Sequence, residues 1–194
     1  MEKVLDHARK ELDDVGPMKF NILRVIENAG VSRSSVYHHF GGRDGVIAAV
    51  EVKRMREETE LFNLVLRQTI ETVESRQGAL DAIRGVLIAT GSEAGRKLRA
   101  HRVAVIATAQ NIPLLAETMR SDQRIVDEEL RVILHTAVER GLVSPIANVE
   151  GLVQLIASLF IGRSAVDILE DEEADAAWVE ATMTTLGYLM PPVD

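Results

Sequence analysis

Not one of the 194 residues is a cysteine, which removes disulfides, thiolate metal sites and thiol nucleophiles together. Aromatic residues are scarce at 4%, while apolar residues reach 46%, so a core must be built from Leu, Ile, Val and Ala. That favours helices over a β-sandwich or barrel. β alternation of useful length is missing, as are internal repeats and low-complexity tracts. The longest apolar run, 152–169, is interrupted by Gln154, Arg163 and Asp167, and a spanning helix with that interior would be costly. The first residues lack a basic stretch followed by an apolar core, so no signal peptide is expected. The expectation is a soluble, cytoplasmic, all-α protein.

Chemistry of the common enzyme kinds is equally hard to place. There is no glycine-rich phosphate loop, no nucleophile elbow and no Glu-x-x-His pair of the kind used by helical metal sites. His38 and His39 are adjacent, and His7, His101 and His135 are scattered, so no metal-ligand geometry follows from their spacing. No catalytic residue, metal or cofactor is expected.

Glycine and proline punctuate what otherwise reads as continuous helix. Val4, Leu5, Ala8 and Leu12 predict a first helix, stopped near Gly16 and Pro17. Asn21 can cap a second from Ile22 to Asn28, with Ile22, Val25 and Ile26 facing inward. A third runs from Ser32 to His39 and ends at Gly41 and Gly42. From Arg43 to about Ser75 nothing breaks the helix, which gives a rod of roughly 45 Å. Later helices are expected over 77–90, 93–110, 114–140, 148–170 and 173–189, limited by Gly91, Pro113, Gly141 with Pro145, and 171–173.

The most informative stretch is 28–40, Asn-Ala-Gly-Val-Ser-Arg-Ser-Ser-Val-Tyr-His-His-Phe. Gly30 can take the positive φ that a helix stop needs. Ser32 offers its hydroxyl to the free N–H groups of a new helix. Val31 and Val36 are apolar anchors, and Arg33, Ser34, Ser35, Tyr37 and His38 carry hydrogen-bonding tips. A short helix of that kind, backed by another, suits a DNA major groove. The net charge of −8 looks wrong for this until the chain is divided. Residues 1–56 hold ten Lys/Arg against eight Asp/Glu, and 57–194 hold twelve against twenty-two. A weakly basic head on an acidic body can still bind phosphate through a local patch.

Residues 16–50 resemble, without gaps, the DNA-binding signature of the tetracycline-repressor-like (TetR) transcriptional regulators. The matching elements are Gly16, Ile22, Val25, Glu27, Ala29-Gly30-Val31-Ser32, Val36-Tyr37, His39-Phe40, Arg43-Asp44 and Val46-Ile47. The resemblance implies an N-terminal helix-turn-helix domain over 1–46 and a helical ligand-binding and dimerisation domain over 47–194. Some positions depart from the family pattern. Phe20 and Asn21 stand where two small hydroxyl residues are common, Ile26 where a small residue is usual, Gly42 where a hydroxyl caps the fourth helix, and Gly45 where a good helix former belongs.

The candidate DNA-binding residues are Asn21, Ser32, Arg33, Ser34, Ser35, Tyr37, His38 and Arg43. Arg33 could pair with guanine or clamp a phosphate, and Tyr37 and His38 should reach phosphates. Arg43, unfavourable for the macrodipole at a helix start, makes sense beside a phosphate. His39 is expected to order the turn and Phe40 to lie in the core. The architecture implies that the last two helices pair with their twins across a two-fold axis. Leu152, Leu155, Ile156, Leu159, Phe160 and Val166 on one, with Trp178, Met183, Leu186 and Leu189 on the other, are the expected apolar faces. Arg163 and Asp167, four apart, should pair along one helix; an acidic ligand displacing Asp167 from Arg163 is the alternative. Gln68, His101 and Gln110 are candidate polar anchors for a ligand among the middle helices.

The resulting expectation is a homodimeric repressor, binding double-stranded operator DNA of pseudo-palindromic sequence. A small, mostly apolar effector would release it by pushing the long helix. Two alternatives remain at this level: a small-molecule- or partner-binding helical protein without operator affinity, and a helical-bundle enzyme. No membrane partner is expected.

Overall fold

The computed structural model describes residues 1–144 and 148–189; Pro145 and the side chain of Leu189, both named above, lie outside the described residues. Among the described residues there are ten helices and no strand: α1 (Glu2–Lys19), α2 (Ile22–Ala29), α3 (Arg33–Phe40), α4 (Arg43–Thr72), α5 (Arg76–Thr90), α6 (Glu93–Ala109), α7 (Pro113–Glu139), α8 (Val149–Gly162), α9 (Ser164–Asp167) and α10 (Glu172–Leu189). The chain forms two compact units, Met1–Thr59 with Ala104–Arg124, and Glu60–Val103 with Ile125–Asp194. A division between 46 and 47 would fall inside α4, among Val46, Ile47, Ala48 and Val50, which are all buried in the first unit's core.

In the first unit, the stop expected at Gly16 is a kink. Gly16 takes φ 71°, and Pro17 opens one further helical turn to Lys19. Asn21 caps α2 by accepting from the Leu23 N–H at 3.0 Å. Gly30, at φ 64°, closes it in the left-handed region, and the Val31 N–H returns to the Ile26 carbonyl. That pattern satisfies carbonyls a helix end would otherwise leave bare. Val4, Ala8 and Leu12 of α1, Val25, Ile26 and Ala29 of α2, Val36 of α3 and Val46 and Ile47 of α4 share one core. Val105 and Ala109 of α6, Ile112 just before α7 and Leu115 of α7 complete it. Ile26, though larger than the family's usual residue, is buried there.

The turn from α3 to α4 explains two of the departures. Gly41 and Gly42 have φ 75° and 137°, a backbone that residues with a Cβ rarely adopt. A Cβ at Gly45 would lie 1.7 Å from the Phe40 carbonyl oxygen. The weak helix former is therefore demanded by the close approach of the preceding turn.

In the second unit, Ile70, Leu130, Ile133, Leu134, Ala137, Leu142, Val143, Val149, Leu152, Val153 and Leu186 form the core. Ser75 caps α5 and Asn148 caps α8. α4 ends at Thr72, slightly before the expected Ser75. Arg140 donates to the Ile70 oxygen in its last turn and, at 3.0 Å, to that of Val73 just beyond it. The single helix expected over 148–170 is broken after Gly162. The Ser164 hydroxyl donates to the Ile161 carbonyl at 2.7 Å, and α9 is one short turn. Residues 149–167 have a mean hydropathy of 1.4, enough in length and composition for a spanning helix. The break, with Arg163 and Asp167 both held in ion pairs, makes that placement costly.

Gly45→Ala should destabilise the head by about 1–3 kcal/mol, the usual range for overpacking. Urea denaturation of the variant against the parent protein measures it, with an unchanged midpoint contradicting the tight-turn account.

Candidate functional sites

The first site is the exposed face of α3. Ser32 caps it, accepting from the Ser35 N–H at 3.2 Å, and its oxygen lies 3.1 Å from that of Ser34. Val36 is fully buried, which pins the helix by its apolar side. Arg33, Ser34, Ser35, Tyr37 and His38 are all exposed, so the five tips expected to reach DNA stand together on one short helix. Tyr37 packs its ring against Gly42, 3.7 Å from where a Cβ would be. The His39 and Phe40 rings meet edge-on at 4.5 Å, consistent with His39 ordering the turn.

Asn21 and Arg43 carry structural work as well. The Asn21 Oδ1 is the cap of α2, accepting from the Leu23 N–H. The Arg43 guanidinium donates to the Pro17 carbonyl, to the Phe20 carbonyl at 3.4 Å and to Asp44 at 2.8 Å. It also lies 6.0 Å from the centre of the buried Phe20 ring. Phe20, where the family has a hydroxyl, thus supplies a surface for Arg43. Arg43 ties the α1–α2 junction to the start of α4.

The second site lies within the other unit, a chamber of about 130 Å³. Phe62, Leu66, Thr69 and Ile70 come to it from α4, Ile133, Leu134 and Ala137 from α7, and Leu159 and Phe160 from α8. α5 gives Leu80, Ile83, Val86, Leu87 and Thr90, and α10 gives Trp178, Thr182 and Leu186. The three ligand anchors read from sequence are not in this wall. Gln68 is exposed, because the α4 residues facing the chamber are 62, 66, 69 and 70. α6, which carries His101, supplies none of the described wall, and Gln110 is exposed on the first unit.

The partners at the polar end of the chamber were not found from the sequence. Arg163 does not pair with Asp167. It donates to the Leu87 carbonyl at 2.5 Å, to the Thr90 hydroxyl at 2.6 Å and to Asp175 at 2.9 Å, and lies 4.5 Å from the Trp178 ring centre. Asp167 instead receives Arg99 through two bonds, of 2.7 and 2.5 Å, while Arg99 also donates to the Thr90 carbonyl. Arg96 joins Asp175 at 2.6 Å. A Cβ at Gly91 would lie 2.6 Å from the Arg163 guanidinium, so that glycine clears its seat. The break after α8 turns the two side chains to different partners, which i, i+4 spacing could not reveal. The available signal was an arginine inside the longest apolar run.

The apolar faces assigned to a dimer are also largely internal. Leu152, Met183 and Leu186 are buried, Ile156 packs on the core, and Leu159, Phe160 and Trp178 line the chamber. Exposed instead are Ile168 and Leu169, between α9 and α10, and Tyr188 of α10.

Burial pushes the Asp175 carboxyl up, but hydrogen bonds from Arg163 and Arg96 outweigh it and hold the group below its ordinary value. The folded pKa is depressed, so this contribution is complete above the unfolded value of about 3.9 and fades as pH falls further. Asp175→Asn should lower the melting temperature at neutral pH, with the gap to the parent protein closing in acid. A gap independent of pH would assign the loss to packing alone.

Residues 4–50 match the model of the bacterial regulatory proteins, tetR family. Over most of its length the chain is similar to the HTH-type transcriptional repressor Rv1474c of Mycobacterium tuberculosis, with 27% identity over 183 residues, 84% of this chain and 91% of the relative. It is 20% identical to the HTH-type transcriptional regulator UidR of Escherichia coli K12, across 97% of this chain and 91% of that protein. Among solved structures, Salmonella enterica GusR shares the fold, with a TM-score of 0.69 and 20% identity over 97% of this chain and 94% of that one.

Proposed function

We propose that this chain, which belongs to the tetR family of bacterial regulatory proteins and is a DNA-binding transcriptional regulator, is a homodimeric, cytoplasmic repressor released from a pseudo-palindromic operator by a small, mostly apolar molecule. The observation that carries the reading is α3, with five exposed polar tips over a fully buried Val36 and glycine turns at both ends. Arg33 makes no hydrogen bond or ion pair among the described residues, which fits a side chain kept for base edges. Ser34, Ser35, Tyr37 and His38 would add backbone and base contacts. Ser32, Asn21 and Arg43 would act by placing the helix, with secondary reach to phosphate.

The effector would occupy the chamber. α4 starts two glycines after α3 and supplies four residues to the chamber wall further along. A ligand that favours one setting of α4 would thereby change operator affinity, and DNA would change ligand affinity by the same factor. A dimer would use α10 and the segment that leads into it, where Ile168, Leu169 and Tyr188 are exposed.

Arg33→Ala should weaken specific DNA binding by about 1–3 kcal/mol and relax base preference. Titrations against operator and unrelated DNA at several salt concentrations read this out, and equal affinity to the parent protein would remove α3 from the interface. For the dimer, Ile168→Glu combined with Tyr188→Glu should shift light scattering toward monomer without loss of helix content. A parent protein that is monomeric at micromolar concentration contradicts that arrangement.

A further inference from the structure

Threonine in a helix commonly turns its hydroxyl back to a carbonyl three or four residues earlier. Of the ten threonines, eight do so, Thr184 and Thr185 of α10 among them. The hydroxyls of the other two, Thr69 of α4 and Thr182 of α10, make no hydrogen bond among the described residues, and both residues stand in the chamber wall. Thr182 is 5% exposed, yet its oxygen is not one of the fully covered polar atoms without a partner. A buried hydroxyl left unpaired is rare in folded proteins and marks a missing partner. Here the two exceptions meet at one cavity. Thr90, the third threonine of the wall, is engaged, donating to the Leu87 carbonyl at 2.8 Å and accepting from Arg163.

Resting on the effector reading above, we infer that the chamber takes an uncharged molecule with an apolar body and an alcohol or ketone oxygen, hydrogen-bonded by Thr182 with Thr69 as a second partner. A hydroxyl both donates and accepts, so it serves either kind of oxygen. Charge is disfavoured by the rest of the wall. Its described residues include no aspartate or glutamate, Arg76 donates to the Gly187 carbonyl at 3.5 Å, and Arg163 is held by Leu87, Thr90 and Asp175. An ion would find no free countercharge there and would be costly to bury. Size narrows the class. A chamber near 130 Å³ compares with the roughly 150 Å³ cavity that holds one benzene, so the body is a phenyl ring or a chain of similar bulk. Sugars are disfavoured, because two threonine hydroxyls cannot satisfy so many polar groups among aliphatic side chains.

Calorimetric titration of the full chain with benzyl alcohol and acetophenone, beside toluene as the oxygen-free counterpart and benzoate and benzylammonium as charged ones, tests this. The alcohol and the ketone should bind, and both ions should bind at least tenfold more weakly. Thr182→Val should weaken the alcohol and the ketone by about two- to twelvefold, the span of one neutral hydrogen bond, and leave toluene as tight or tighter. Thr182→Ser, which keeps the oxygen, should retain the parent ranking. Because the hydroxyl has no protein partner, Thr182→Val should melt no lower than the parent protein. A lower melting temperature would mean that the fold uses this hydroxyl, and would overturn the inference. So would an unchanged ranking in Thr182→Val, an ion binding as tightly as the alcohol, or no binding of either oxygenated compound.

DNA titrations with the same compounds separate it from the regulatory reading. Release of DNA by toluene or an ion but not by the alcohol or ketone would keep the effector role and reject the neutral oxygen. Alcohol binding that depends on Thr182 yet leaves DNA affinity unchanged would keep the site and reject its regulatory role.

Discussion

A guanidinium taken out of water must find acceptors for nearly all its N–H groups, and the second unit is organised around two of them. Arg99 is fully buried and Arg163 nearly so. Desolvating a charge costs several kcal/mol even after the surroundings relax, so their partners cannot be casual. Asp167, Asp175, the Leu87 and Thr90 carbonyls and the Thr90 hydroxyl fill that need. Meeting it fixes where α8 stops, why α9 is a single turn, and why residue 91 has no side chain. The aromatic rings follow the same requirement. Phe160 lies near Arg99 and Arg102, and Trp178 near Arg163, giving weakly hydrated cations an apolar yet electron-rich neighbour.

The first unit meets a different constraint, that of helices too short to hold themselves. α2 and α3 have eight residues each, below the length at which an isolated helix is stable. Their ends are therefore saturated with side-chain and glycine caps. This has a functional consequence for the polar residues on the face of α3. Ser32 cannot be judged only as a DNA contact, because its oxygen is already an acceptor for the helix it begins. Arg43 is similarly engaged with the carbonyls of Pro17 and Phe20.

These local devices are why the head was legible in the sequence. Asn21, Gly30, Ser32 and Gly41 each act within a few residues of themselves, and their identity announces the turn or cap they make. The other unit resisted reading where partners are distant in sequence. Arg99 and Asp167 are separated by 68 positions and Arg163 and Thr90 by 73, so the nearest plausible pairing, Arg163 with Asp167, was the wrong one. The same holds for the apolar faces of α8 and α10. Helical periodicity shows that a face is buried but not what buries it, and here much of it is the chain's own core and chamber.

The core of the first unit draws on Val105, Ala109, Ile112 and Leu115 as well as on residues 4–50. Its hydrophobic contacts thus join segments separated by more than half a hundred residues, with α5 and most of α6 between them. On the ribosome, where chains emerge from the N-terminus and domains tend to fold in that order, the helix-turn-helix can form its caps early but not its finished core. That core waits until Leu115 has left the exit tunnel. The DNA-reading helices are synthesised before α7, yet they depend for completion on a segment made well after them.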